Sequence, residues 1–214
     1  MKQHRAVAII MAGMLIFGTA AAWSQQRTVF GQFSADSIGT MGNEAHNGKI
    51  FVNQDRIRIE SESKEEEQGA MIIRLDKGVL WTLMPGEKTY MEMKSFDQAG
   101  IPKSEEELTS IAEVKKMGSE TVSGYPCEVT QYLYKDRSQG VLTQWFSRKL
   151  NYTVKTELKK GSKLEMSQLL TNIKEGRQPD SLFEIPPGYK KFQLPGLPGM
   201  PGGAPFKLPF SGKN

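Results

Sequence analysis

Residues 70–93 read AMIIRLDKGVLWTLMPGEKTYMEM, and this stretch decides the fold class. Three apolar runs, Ala70–Asp76, Val79–Leu83 and Thr89–Met93, are separated by Asp76-Lys77-Gly78 and by Pro85-Gly86. The runs are short and rich in residues that suit an extended, half-buried backbone. Their connections are too short for crossover helices, so neighbouring strands must run antiparallel. Ala70-Met71-Ile72-Ile73 and Val79 to Met84 are apolar on both sides of the chain. Such strands belong where both faces of a sheet are covered.

The same pattern extends outward in both directions. Upstream lie Thr28–Phe33, Lys49–Val52 and Arg56–Glu60; downstream lie Glu120–Val122, Glu128–Tyr134, Val141–Phe146, Tyr152–Leu158 and Leu164–Ile173. Asn53-Gln54-Asp55, Asp136 to Gly140 and Lys160-Gly161 supply turn residues that tolerate positive φ. Arg56-Ile57-Arg58-Ile59-Glu60 alternates strictly, as does Tyr152, Val154, Leu158 against polar neighbours, so these strands have one buried and one wet face. The expected fold is mainly β: a curved antiparallel sheet, or incomplete β-barrel, of about eleven strands.

One segment changes period. Ser104-Glu105-Glu106-Glu107 has the form of a capping box, followed by Leu108, Ile111 and Ala112 at helical spacing. Lys115 and Lys116 suit a last helical turn and Gly118 a C-terminal stop. This predicts a helix over roughly 104–117 that covers part of one sheet face.

The two ends read differently. Residues 1–24, MKQHRAVAIIMAGMLIFGTAAAWS, have a positive start in Lys2 and Arg5, an apolar stretch from Ala6 to Phe17 and small residues from Gly18 to Ala22. This is the pattern of a cleaved secretory signal, with cleavage after Ala22 or, preferred, after Ser24. Residues 25–192 form the expected domain. Residues 193–214, with LPGLPGMPGGAPFKLPFSGKN from Leu194, read as a flexible Pro/Gly-rich tail unusually rich in Leu, Met and Phe. No other run is long enough to cross a membrane as a helix. A soluble exported protein with such a signal is expected in a bacterial periplasm.

Composition limits the chemistry. The 214 residues carry 28 Lys+Arg and 24 Asp+Glu, a formal charge of +4, which falls to about +2 once Lys2 and Arg5 leave with the signal. That near balance gives no support to a nucleic-acid partner. Two histidines, His4 and His46, and one cysteine, Cys127, exclude a clustered Cys/His zinc site and an internal disulfide. His46 sits in the turn-like Asn43 to Gly48, and Cys127 opens what reads as a buried strand, so a Cys–His pair has little behind it. No phosphate-binding loop, dinucleotide fingerprint, His-Glu-x-x-His or nucleophile elbow occurs. The acidic run Glu60 to Glu67 lacks EF-hand spacing and reads as a solvated hairpin tip. No cofactor and no catalysis are expected.

What the sequence offers instead is apolar lining. Trp81, Leu83, Met91, Met93, Leu108, Ile111 and Trp145 fall on the strands and helix that would enclose a cavity, with Met84, Tyr90 and Phe146 nearby. The plainer alternative is that they fill the core.

The order of elements resembles the LolA-like superfamily of bacterial envelope proteins, whose members include a periplasmic lipoprotein carrier. The resemblance spans Thr28 to Phe192. It rests on the signal, the meander from Phe30 to Met93, the helix near 104–117, Gly124-Tyr125-Pro126-Cys127-Glu128-Val129, Trp145-Phe146, and the closing Leu182-Phe183-Glu184-Ile185-Pro186-Pro187-Gly188-Tyr189. That ending, a Phe-x-x-Pro-x-Gly-Tyr strand terminator, is most like the superfamily's uncharacterised exported branch. The resemblance implies a half-barrel whose concave face holds an acyl chain, and a functional arginine for which Arg56, Arg58 and Arg74 are available. The expected function is therefore periplasmic binding of an apolar or lipid-like ligand, a lipoprotein acyl chain being one such ligand. The alternative is an envelope protein–protein interaction module that uses the C-terminal tail.

Overall fold

Pairing between strands joins all of these runs into a single sheet. The computed structural model describes residues 29–62, 69–94 and 109–192. The signal segment, most of the acidic run after Glu62, Leu108 with the start of the expected helix, and the Pro/Gly-rich tail lie outside the described residues.

The strands are β1 (Gln32–Met41), β2 (Glu44–Asn53), β3 (Arg56–Ser61), β4 (Ala70–Arg74), β5 (Val79–Met84), β6 (Thr89–Lys94), β7 (Ala112–Val122), β8 (Tyr125–Tyr134), β9 (Val141–Ser147), β10 (Tyr152–Lys160), β11 (Lys163–Glu175) and the two-residue β12 (Lys190–Lys191). Their order across the sheet is β12-β6-β5-β4-β3-β2-β1-β11-β10-β9-β8-β7. It is an open curved sheet, not a closed barrel. Every pairing is antiparallel except that of β12 with β6.

Two meanders, β1–β6 and β7–β11, meet where β1 pairs with β11. Polar side chains tie this seam: Asn172 donates to Asp36 (2.8 Å), Gln168 donates to Ser37 (3.1 Å), and the Thr40 and Ser167 hydroxyls bond at 2.9 Å. These pairs join residues far apart in sequence, so the seam closes only after a large loop has been ordered. Hairpin geometry follows turn chemistry: Ser123 and Gly124, between β7 and β8, both have positive φ (50° and 83°), as a type I′ turn requires.

The expected helix is corrected. Helical backbone ends at Ile111, and residues 112–122 form the edge strand β7 along β8. Gly118 does have the positive φ expected of a helix stop, 99°, but it serves a bulge between Lys116 and Gly118. The apolar spacing of Leu108, Ile111 and Ala112 favours a helix locally. A full-length antiparallel partner then outweighs the weak propensities of Lys115 to Thr121.

Register defines two faces in the β1–β6 half. Phe33, Val52, Ile57, Ile73, Leu80 and Met93 are successive cross-strand partners on what we term the inner face. These six and the row Ala35, Ile50, Ile59, Met71 belong or pack to the main buried cluster. On the outer face the chain after β11 crosses back as a strap. Its 3-10 turn, Asp180–Phe183, delivers Phe183, 0% exposed, into a second cluster with Ala70, Ile72, Trp81 and Leu83. That is how β4 and β5 come to be apolar on both sides. The Phe183 to Tyr189 motif is thus a strap over the sheet rather than the end of a strand.

Candidate functional site

The inner face carries the candidate site. Beyond the main cluster it holds a separate apolar group: Tyr132, Leu142, Leu158 and Met166, with Ala112, Tyr134 and Met41. Register again explains it, since Tyr132 pairs with Leu142, Leu142 with Leu158, Leu158 with Met166 and Met166 with Met41. Burial pushes the Tyr132 and Tyr134 hydroxyls up to about 12, so both rings present neutral phenols. Half-buried Met41, Ile59, Met91 and Met93 keep apolar surface in reach of solvent on this face.

The seven residues read from the sequence as one lining do not come together. Met91 and Met93 stand on the inner face, opposite Thr82 and Leu80. Trp81 and Leu83 point the other way, under the strap, where the Trp81 indole donates to Glu92 (3.1 Å). The Lys191 ammonium and that indole hold the Glu92 carboxyl below its usual range. Trp145 joins the main cluster, with its indole donating to Glu120 (2.6 Å) and the Lys155 ammonium 4.2 Å from its ring centroid. Ile111 is exposed at the end of the described helical turn, and Leu108 is outside the described residues. Alternation within β5 separates Leu80 from Trp81, and apolar composition on both faces hides that division in the sequence.

The three arginines available for a ligand are occupied by the strap. Arg56 bonds Asp180 (2.9 Å) and lies 5.3 Å from the Phe183 ring centroid. Arg58 donates to the Leu182 carbonyl (3.1 Å). Arg74, itself buried, donates to the Phe183 carbonyl (3.1 Å), to both Asp76 oxygens and to Glu184. These bonds raise the Arg74 guanidinium and lower the Asp76 carboxyl, so both are charged. Arg56 and Arg74 are direct cross-strand partners. Like charges placed so repel, and Asp55, Asp76, Asp180 and Glu184 around them offset it. The sequence signal for this role is the acidic, aromatic Asp180-Ser181-Leu182-Phe183-Glu184 itself.

His46 lies on β2, not in a turn, with its Nε2 buried and 4.0 Å from Glu44. Cys127 lies on β8, several strands away in the sheet order. Its thiol is buried, bonded to the Tyr125 carbonyl (3.3 Å) and pushed up by desolvation. That is the reverse of what a nucleophilic cysteine needs. Among the described residues no group of three or more His, Cys, Asp and Glu could hold a metal ion, and no helix is long and apolar enough to cross a membrane.

A family model described as a domain of unknown function (DUF4412) matches residues 38–153, from the middle of β1 to the start of β10. The chain belongs to the DUF4412 family. No curated protein matches it. Among solved structures, an uncharacterized conserved protein from Thermus thermophilus aligns at TM-score 0.56 and 8% identity, over 77% of this DUF4412 chain and 93% of that one. The Pseudomonas aeruginosa MucA/MucB complex aligns at TM-score 0.54 and 15% identity, over 83% and 60%. The DUF4412 chain therefore spans about three fifths of the MucB-complex chain it matches. A LolA superfamily protein, NE2245 from Nitrosomonas europaea, aligns over 78% and 95% at 12% identity and TM-score 0.33, a score that adds nothing to the fold argument. The likeness to the Thermus protein and to the MucB-complex chain is one of fold.

Proposed function

We propose that this DUF4412 protein is an exported, periplasmic, non-enzymatic binding protein that takes an apolar or lipid-like ligand on the inner face of its sheet. The observation that carries the reading is the open sheet with two apolar clusters on one face, half-buried Met41 and Met93 packed against them and half-buried Met91 on the same face. Burial of chain methylenes there would supply the affinity, at ~0.8 kcal/mol each. The leader read in residues 1–24 supports export. In the test, purified protein lacking the leader is mixed with an environment-sensitive naphthylamine dye. Fluorescence should rise saturably, and Met41→Lys, a charge on the inner face, should weaken binding about tenfold or more. Ile38→Lys, on the outer face where Ile38 is 49% exposed, should not. No fluorescence change, with no lipid found by mass spectrometry of the native protein, would overturn the reading.

A second reading has one observation in its favour: a structurally similar protein, MucB, has been solved in complex with MucA(peri). Here the tail would be the contact segment. The residue before it, Phe192, lies beside β6, its amide bonding the Tyr90 carbonyl (2.8 Å). Deleting residues 194–214 should then abolish capture of an envelope partner in pull-downs while leaving the melting temperature unchanged. Capture that survives the truncation removes the tail from the interaction.

A further inference from the structure

Between its two apolar clusters the inner face is crossed by a row of polar side chains. Register places Thr130 opposite Gln144, Gln144 opposite Thr156, Thr156 opposite Gln168, Gln168 opposite Gly39 and Gly39 opposite His46. The row therefore runs through six adjacent strands, from β8 to β2. Gln144 and Thr156 are 3% and 5% exposed, whereas Gln168 and His46 are half-buried. The middle of the row is thus closed, Thr130 at its β8 end is half-buried, and the end on β11, β1 and β2 is open.

The open end is a notch. Gly39 leaves no side chain between Gln168 and His46, and none can be added. A Cβ on Gly39 would stand 2.5 Å from the Ser167 carbonyl oxygen. On one side of the notch the Gln168 amide is oriented by its bond to Ser37 (3.1 Å). On the other, the His46 Nε2 is buried and makes no hydrogen bond. Buried polar atoms are nearly always partnered, so an orphan at the rim of an apolar face points to a missing ligand group. An amide and an imidazole can each donate or accept, which suits carbonyl and hydroxyl oxygens. No Lys, Arg, Asp or Glu belongs to the row, and the nearest charge, the Glu44 carboxylate 4.0 Å from the His46 Nε2, would repel a carboxylate or phosphate seated there.

The geometry points to an acylglycerol as the ligand. Its neutral ester and hydroxyl groups would sit in the Gln168–Gly39–His46 notch, and its chain over Tyr132, Leu142, Leu158 and Met166. This deepens the inner-face reading and rests on it. The experiment displaces the bound naphthylamine dye with monolauroylglycerol, laurate or dodecane. Monolauroylglycerol should displace it at a concentration at least tenfold lower than either of the others. His46→Leu and Gln168→Leu should each cut that ratio to about threefold or less. The readout is a ratio, so a general loss of affinity does not imitate the result. If Gln168→Leu does not fold, His46→Leu, at the half-buried end, carries the test. Equal displacement by the three compounds, or an undiminished ratio in the variants, overturns the acylglycerol assignment and leaves apolar binding standing. A protein that never binds the dye overturns the inner-face reading itself.

Discussion

Phe183→Ala should cost the protein about 3–5 kcal/mol, the range for emptying a buried phenylalanine site. The ring is fully buried among Ala70, Ile72, Trp81 and Leu83, so its loss leaves a hole lined by strand side chains that the sheet cannot close. The cost extends past the ring. Leu182, Ile185 and Tyr189 pack on the same cluster, and the arginine bonds to the Leu182 and Phe183 carbonyls hold only while the 3-10 turn stays seated. Urea denaturation followed by tryptophan fluorescence checks this, because Trp81 lies in the affected cluster. If the strap comes away entirely, the native state buries less surface and the denaturant slope should fall as well. Leu182→Ala, at a half-buried position, should cost about 1 kcal/mol by comparison. A Phe183→Ala loss no larger than that would mean that the strap does not hold the outer face.

Much of this architecture is legible in the sequence, and the gaps have specific causes. β3 to β6 and β8 to β11 are visible in alternation and turn residues, because there local pattern and cross-strand partner agree. β1 and β2 each look shorter in sequence than they are. Ser34 to Met41 and Glu44 to Gly48 contain Gly, Ser, Asn and His, which read as connection, yet they pair residue for residue from Gln32 with Asn53 to Met41 with Glu44. β1 is held there by its seam with β11, and β2 in turn by β1, which no local window contains. β7 is legible only at Glu120 to Val122, and its start from Ala112 is hidden for the converse reason: a good local helix signal meets a long strand partner. The site is legible as an inventory of apolar residues but not as a surface. On strands that are apolar on both sides, only the register tells Met93 from Trp81. The polar row is invisible for the same reason, since Thr130, Gln144, Thr156, Gln168 and His46 come from five strands and become neighbours only through pairing.

The β1–β2 register can be tested through its glycines. Gly48→Ala should lower stability by about 3 kcal/mol, the upper part of the range for overpacking a closely packed site. Gly48 is buried and pairs with Ser37 on one side and Ser61 on the other. A Cβ there would fall inside van der Waals contact with the Glu60 carbonyl oxygen. The obstacle is backbone, so no rotamer relieves it, and β2 and β3 must separate where their ladder ends. Gly42→Ala provides the contrast. Gly42 turns the β1–β2 hairpin at φ +59°, with nothing within 4 Å of the added Cβ. Its penalty is only the left-handed conformation, ~1–2 kcal/mol. Thermal and urea unfolding of the two variants separates a lack of space from a conformational cost. Equal and small losses would show that β2 does not approach β3 closely at Gly48. A slip of β2 by one residue would produce that result, and it would also carry His46 to the outer face, away from Gln168. The large Gly48 penalty and the ligand ratio of His46→Leu therefore depend on one register, and they should stand or fall together.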